Sequence, residues 1–153
     1  MKKRFAVLFF VILIVAMLPT NALAAGMQSQ EENIIYFEDG SYIVVTLSEI
    51  ETRASGTKTG QKTYNYLDGN GEVSWKAVIT GTFTYTGSSA TCTSSICDVT
   101  VYDTAWYVVS RTTGKSGNTA TAEVTMGRKY LGITVTKKTL SLKITCDANG
   151  NLS

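Results

Sequence analysis

The sequence predicts an all-β protein: one antiparallel β-sandwich of the immunoglobulin-like kind, with seven or eight strands, behind a signal peptide. Three observations carry this. After residue 24 there is no proline, and 22 threonines join many Val, Ile and Tyr residues. These β-branched and aromatic types suit a pleated, half-buried surface. Residues 72–86 alternate apolar and polar side chains with a period of two, as a strand with one buried face requires. Turn signals recur at short intervals, and no segment carries a sustained apolar stripe at helical spacing. A closed barrel is the alternative.

The first element is a leader over residues 1–24. Lys2, Lys3 and Arg4 precede an uninterrupted apolar run, Phe5 to Leu18. Pro19, Thr20 and Asn21 break the run, and Ala22-Leu23-Ala24 offers the small-x-small pattern of a cleavage site. The run is shorter than the ~20 residues that span a bilayer. The expected product is secreted and has no membrane span after cleavage. Without Lys2, Lys3 and Arg4 the remaining chain carries 11 basic and 12 acidic residues, a net charge of −1. That balance argues against nucleic-acid binding. The absence of histidine excludes His-based triads and His metal sites.

Residues 25–32 are polar and are expected to form a flexible N-terminal arm before a single domain over 33–153. Strands over 33–38 and 41–50 flank Asp39-Gly40, which suits a type I′ hairpin. A polar connection over 52–60 leads to a strand over 61–67. Asp68-Gly69-Asn70-Gly71 is a turn. The strand over 72–86 aligns Trp75, Ala77, Ile79, Gly81 and Phe83 on one face. A loop of small residues follows over 87–95. The next strand, 98–109, changes phase near 103–105, which predicts a bulge. A turn over 112–118 precedes three short strands. These are expected to bury Ala120, Ala122, Val124 and Met126, then Leu131, Ile133 and Val135, then Leu140, Leu142, Ile144 and Cys146. The phase flips across Lys137-Lys138, which predicts a turn or bulge there.

Three cysteines outside the cell suggest one disulfide and one remaining thiol. Cys92 or Cys97 pairing with Cys146 would tie the middle of the chain to its last strand, and Cys92–Cys146 is the favoured pair. Trp75 and Trp106 carry the phase of buried residues and are expected in the core.

The chain resembles a loose group of small secreted β-sandwich proteins of Gram-positive bacteria. The resemblance rests on the leader, Gly81-Thr82-Phe83-Thr84-Tyr85-Thr86-Gly87, Cys92, Trp106 and the ending Cys146-Asp147-Ala148-Asn149-Gly150-Asn151-Leu152-Ser153. It spans residues 75–153. It implies secretion and a β fold, and it carries over no catalytic residue.

The sequence contains no nucleophile elbow and no phosphate loop. Asp98 and Asp103 are the best-placed carboxylates for a hydrolase, which needs two of them facing across a cleft. Asp68-Gly69-Asn70-Gly71-Glu72 and Asp147-Ala148-Asn149-Gly150-Asn151 space oxygen ligands as calcium loops do, but they also read as ordinary turns. No cofactor or metal is expected. Tyr64 and Tyr66 share one strand face and form the candidate binding surface, because tyrosine gives contact area at low entropy cost. The leading expectation is therefore a non-enzymatic binding or surface-interaction module, with a cell-surface polysaccharide or an extracellular protein as partner. A secreted carboxylate hydrolase and an inhibitor or effector acting on another protein are the alternatives.

Overall fold

A computed structural model describes residues 29–50 and 56–153. The leader, its cleavage site, residues 25–28 of the expected arm and residues 52–55 of the expected connection lie outside them. Eight strands fill most of the described chain: β1 (Ser29–Tyr36), β2 (Tyr42–Ile50), β3 (Thr57–Leu67), β4 (Val73–Tyr85), β5 (Ala90–Val101), β6 (Trp106–Ser116), β7 (Thr119–Tyr130) and β8 (Ile133–Thr145). They form two antiparallel sheets, ordered β1-β2-β3-β4-β5 and β6-β7-β8. The β-sandwich is borne out, and neither sheet closes into a barrel. The connectivity differs from the immunoglobulin-like expectation. Every strand pairs only with its sequence neighbours, so each sheet is a meander without the Greek-key return of that fold.

The chain changes sheet once. Val101 still pairs with Trp75 in the first sheet, and Trp106 already pairs with Arg128 in the second. At the corner between them, the carbonyl of Ser74 accepts from the backbone N–H of both Tyr102 and Asp103. The phase change expected as a bulge near 103–105 is this corner. A bulge and a sheet crossing look alike in sequence, because each inverts the inward set.

Several boundaries move outward. β1 begins at Ser29, so the expected arm is shorter than residues 25–32: Ser29, Gln30 and Glu32 already pair with Ser48, Leu47 and Thr46. β3 begins at Thr57 and β5 at Ala90, where polar connections were expected. Threonine, serine and lysine fill the outward positions of these strands, which makes paired strand read as loop.

Three turns share one construction. In Phe37–Ser41, Asp68–Glu72 and Asp147–Asn151 the first residue's N–H donates to the fifth residue's carbonyl. The fourth residue's N–H donates to the first residue's carbonyl, and that fourth residue is a glycine with φ of 80–88°. This is a three-residue hairpin loop closed by a glycine bulge. It replaces the type I′ turn expected at Asp39-Gly40, since only Gly40 has positive φ there. The two-residue turn with both residues at positive φ occurs instead at Leu131-Gly132 (φ 49° and 81°).

The core lies between the sheets. β4 contributes Trp75, Ala77, Ile79 and Phe83; β7 contributes Ala120, Ala122, Val124 and Met126; β8 contributes Leu142 and Ile144. Burying each large apolar side chain is worth roughly 1.5–3 kcal/mol. The expected burial of Trp75 and Trp106 holds. Tyr66 stacks on Trp75 with centroids 4.9 Å apart, and Trp106 meets Tyr66 edge-on at 5.1 Å. Because Trp106 opens the second sheet, this aromatic contact fastens the two sheets beside the crossing.

The last eight residues close the opposite end. After the turn at Asp147, Leu152 bridges back to Cys146, and Ser153 exchanges backbone hydrogen bonds with Thr145. Gly87 N–H donates to the carbonyl of Ala148. The end of the chain thus seals the sandwich.

Candidate functional site

The structure redistributes the residues singled out from sequence. Tyr64 and Tyr66 are buried, at 7% and 4% exposure, and present no binding surface. Both project inward with Ile43 and Val45 of β2, their cross-strand partners' face. Tyr64 Oη reaches across to the second sheet and accepts from Lys143 N–H at 3.5 Å. Burial pushes the Tyr64 phenol pKa up.

Cys92, Cys97 and Cys146 are all buried and unpaired. The favoured Cys92–Cys146 disulfide is absent, and each thiol has a local carbonyl instead. Cys92 Sγ donates to Ser94 O at 3.3 Å, and Cys146 Sγ to Asp147 O at 3.5 Å. Their backbone N–H groups bond to consecutive carbonyls of one turn, Gly117 and Asn118. Burial raises the pKa of all three thiols, which lowers their thiolate content.

Asp98 and Asp103 do not form a facing pair. Asp98 sits exposed on β5 with Arg111 Nη1 3.6 Å away. Asp103 lies in the crossing, where its Oδ1 accepts from Ala105 N–H at 2.9 Å. Asp68 and Asp147 close their own turns. Asp68 Oδ1 accepts from Asn70 and Glu72 N–H, and Asp147 Oδ1 from Asn149 and Asn151 N–H. These bonds hold both carboxyls below their usual pKa, led by Glu72 N–H at Asp68 and the Asn151 side chain at Asp147. Among the described residues no three or more Cys, Asp or Glu side chains gather as a metal site would need.

What remains conspicuous is the β7–β8 hairpin. Leu131, Ile133 and Val135 were expected to be buried, yet Leu131 is 86% exposed and Ile133 70%. The reversal has a local cause. The turn falls at Leu131-Gly132, so Tyr130 pairs with Ile133. Val135 is the extra residue between Thr134 and Thr136, which pair with consecutive Lys129 and Arg128. That bulge shifts the inward phase of β8 to Leu142 and Ile144, and it lies two residues before the Lys137-Lys138 pair where the sequence placed it. Glycine after a β-rich run was the available signal. Leucine is so poor a residue at positive φ that the turn read as strand.

The hairpin is braced at its base. Lys129 N–H donates to Ala105 O, and Tyr107 Oη lies 2.7 Å from Thr134 Oγ1. The Tyr107 ring covers Gly127, where an added Cβ would come within 2.6 Å of it, and Lys129 Nζ stands 4.6 Å above the ring. On the other strand Lys138 Nζ bonds to Asp39 at 2.8 Å and lies over the Phe37 ring. This lysine, with Ser41, draws the Asp39 carboxyl down to a pKa of about 2. Beyond these contacts the tip stands clear. A shallow recess of about 390 Å³ beside it is lined by Ala105, Arg128, Lys129, Tyr130 and Val135.

A scan against protein-family models finds no match, and no curated protein and no solved structure matches the chain.

Proposed function

We propose that the protein is a secreted, non-enzymatic surface-interaction module that works through the tip of its β7–β8 hairpin. The observation that carries this is Leu131. An 86%-exposed leucine in the left-handed region is unfavourable twice, by hydration and by backbone strain. Strain held at an exposed apolar tip has its use in a contact made outside the molecule. The leader supports the extracellular setting. The scatter of the carboxylates, with Asp98 and Asp103 each occupied by other partners, supports binding rather than hydrolysis.

The test is adsorption of the chain from Ala25 on to insoluble cell envelope, with soluble sugar release followed in parallel. Retention without sugar release, lost in a Tyr130→Ser, Ile133→Ser double variant, is the expected result. Sugar release, or retention untouched by the double variant, overturns the reading.

A further inference from the structure

We infer that the partner of this hairpin is the surface of an anionic phospholipid bilayer; this rests on the surface-module reading and names its target. Two features point there, and they are ordered along the hairpin. Tyr130, Leu131 and Ile133 form an apolar tip around Gly132. Behind the tip stand Arg128 and Lys129 on one strand and Lys137 on the other, all exposed. From Gly127 to Lys138 there are four basic residues and no carboxylate, whereas the rest of the chain after residue 24 holds seven basic and twelve acidic residues. Among the described residues, only Lys138 of the four is ion-paired, to Asp39.

This sequence of chemistries matches a bilayer interface in cross-section. Leucine and isoleucine suit the acyl boundary, and tyrosine suits the headgroup level. Lysine and arginine carry long apolar stems and place their charges at phosphates. The chain from the last buried residue of β7, Gly127, to Tyr130 spans about 10 Å at strand rise, enough for the ~5–10 Å over which interfacial segments insert. Both backbone strands of the tip are paired to each other, so insertion exposes few unpaired N–H or C=O groups to lipid.

Charge also sets the orientation. The turns of the first sheet at the same end carry Glu38, Asp68 and Glu72, and the crossing carries Asp103. An anionic surface is repelled by these groups and attracted by the hairpin, so contact is confined to the tip. The recess between Arg128, Lys129 and Tyr130 gives a headgroup phosphate a place beside two cationic side chains.

The experiment uses the chain from Ala25 on, which contains every described strand, and large vesicles of phosphatidylcholine alone or with 30 mol% phosphatidylglycerol (about a third anionic, in the range where polybasic segments respond). Binding is read by co-flotation. The expected result is at least about tenfold tighter binding to the anionic vesicles, weakened by 0.5 M salt (roughly the regime where surface charges are screened). Leu131→Asn keeps the left-handed turn and removes the apolar group. It is expected to weaken vesicle binding by about tenfold or more without lowering the melting temperature. Lys129→Gln with Lys137→Gln should abolish the anionic preference. Equal binding to both vesicle types, or anionic binding unaffected by Leu131→Asn, overturns the inference. Hairpin-dependent retention on cell envelope with no vesicle binding overturns the lipid target and leaves the surface module standing. Loss of both removes both.

Discussion

Gly60 on β3 stands directly opposite Gly81 on β4, and the two bare positions form a floor for side chains arriving from the far sheet and the chain end. A Cβ on Gly60 would lie 2.2 Å from Leu152 Cδ1 and 3.1 Å from Ile144 Cδ1. One on Gly81 would lie 2.6 Å from the Phe83 ring and 2.9 Å from Ile144 Cγ2. The glycine pair therefore decides how closely β8 and the C-terminal segment approach the first sheet.

Alanine at these positions should separate the two contacts. Gly81→Ala meets a fixed ring and a β-branched methyl, and is expected to cost about 1–3 kcal/mol by overpacking. Gly60→Ala meets mainly the end of Leu152 near the chain terminus, which can turn aside, and should cost less. Urea denaturation of both variants checks the order. Equal losses would show that Leu152 is held as firmly as Phe83.

The Asp39–Lys138 pair should shape the acid limb of stability. The folded carboxyl titrates at about 2, below its ordinary value of 3.8. Its contribution is therefore complete above pH 4 and is lost as pH falls toward 2. Asp39 is about half exposed and Lys138 partly covered, so solvent screening holds the worth of the pair to about 0.5–1 kcal/mol. Lys138→Met should flatten that part of the curve and leave the neutral plateau lower by the same amount. An unchanged slope between pH 4 and 2 would remove the pair from the account.

The three thiols should be slow to react in the folded chain and quick in denaturant. Burial raises their pKa, and each lies inside the sandwich. Three equivalents of thiol reagent are expected in urea, with labelling many-fold slower under native conditions. A count of one would establish a disulfide after all.

Tyr64→Phe tests the bridge between sheets. Removing Oη leaves Lys143 N–H without this acceptor, at a cost of about 0.5–1 kcal/mol for so long a bond. Faster hydrogen exchange at the Lys143 amide is the specific signature. A uniform rise across β8 would indicate general loosening instead.

What could be read from sequence divides along a physical line. The alternation in β4 and β7 was legible because one face of each strand is buried along most of its length: Trp75 to Phe83 and Ala120 to Met126 lie inside as spaced. Strand ends dominated by threonine were not, since Thr57 and Thr59 pair in a ladder without burying an apolar face. Tyr64 and Tyr66 misled because phase alone does not say which face is inward, and β3 carries few other apolar residues to decide it. At Ile133 and Val135 the alternation is present but the hairpin extends past the partner sheet, so there is nothing to bury it against. The hairpin tip was not legible as a site, since Leu131, Ile133 and Val135 carry the alternation of a buried strand. Its exposure depends on where the neighbouring strands end.

The two meanders joined by a single crossing have a consequence for how the chain acquires its structure. Each strand's partner is the one made just before or just after it. A chain emerging with its N-terminus first can therefore zip hairpin by hairpin, with no early strand left waiting for a distant mate. The exception is the latch formed by Leu152, which packs against Gly60 of β3 from far along the chain and so joins only after both sheets have been made.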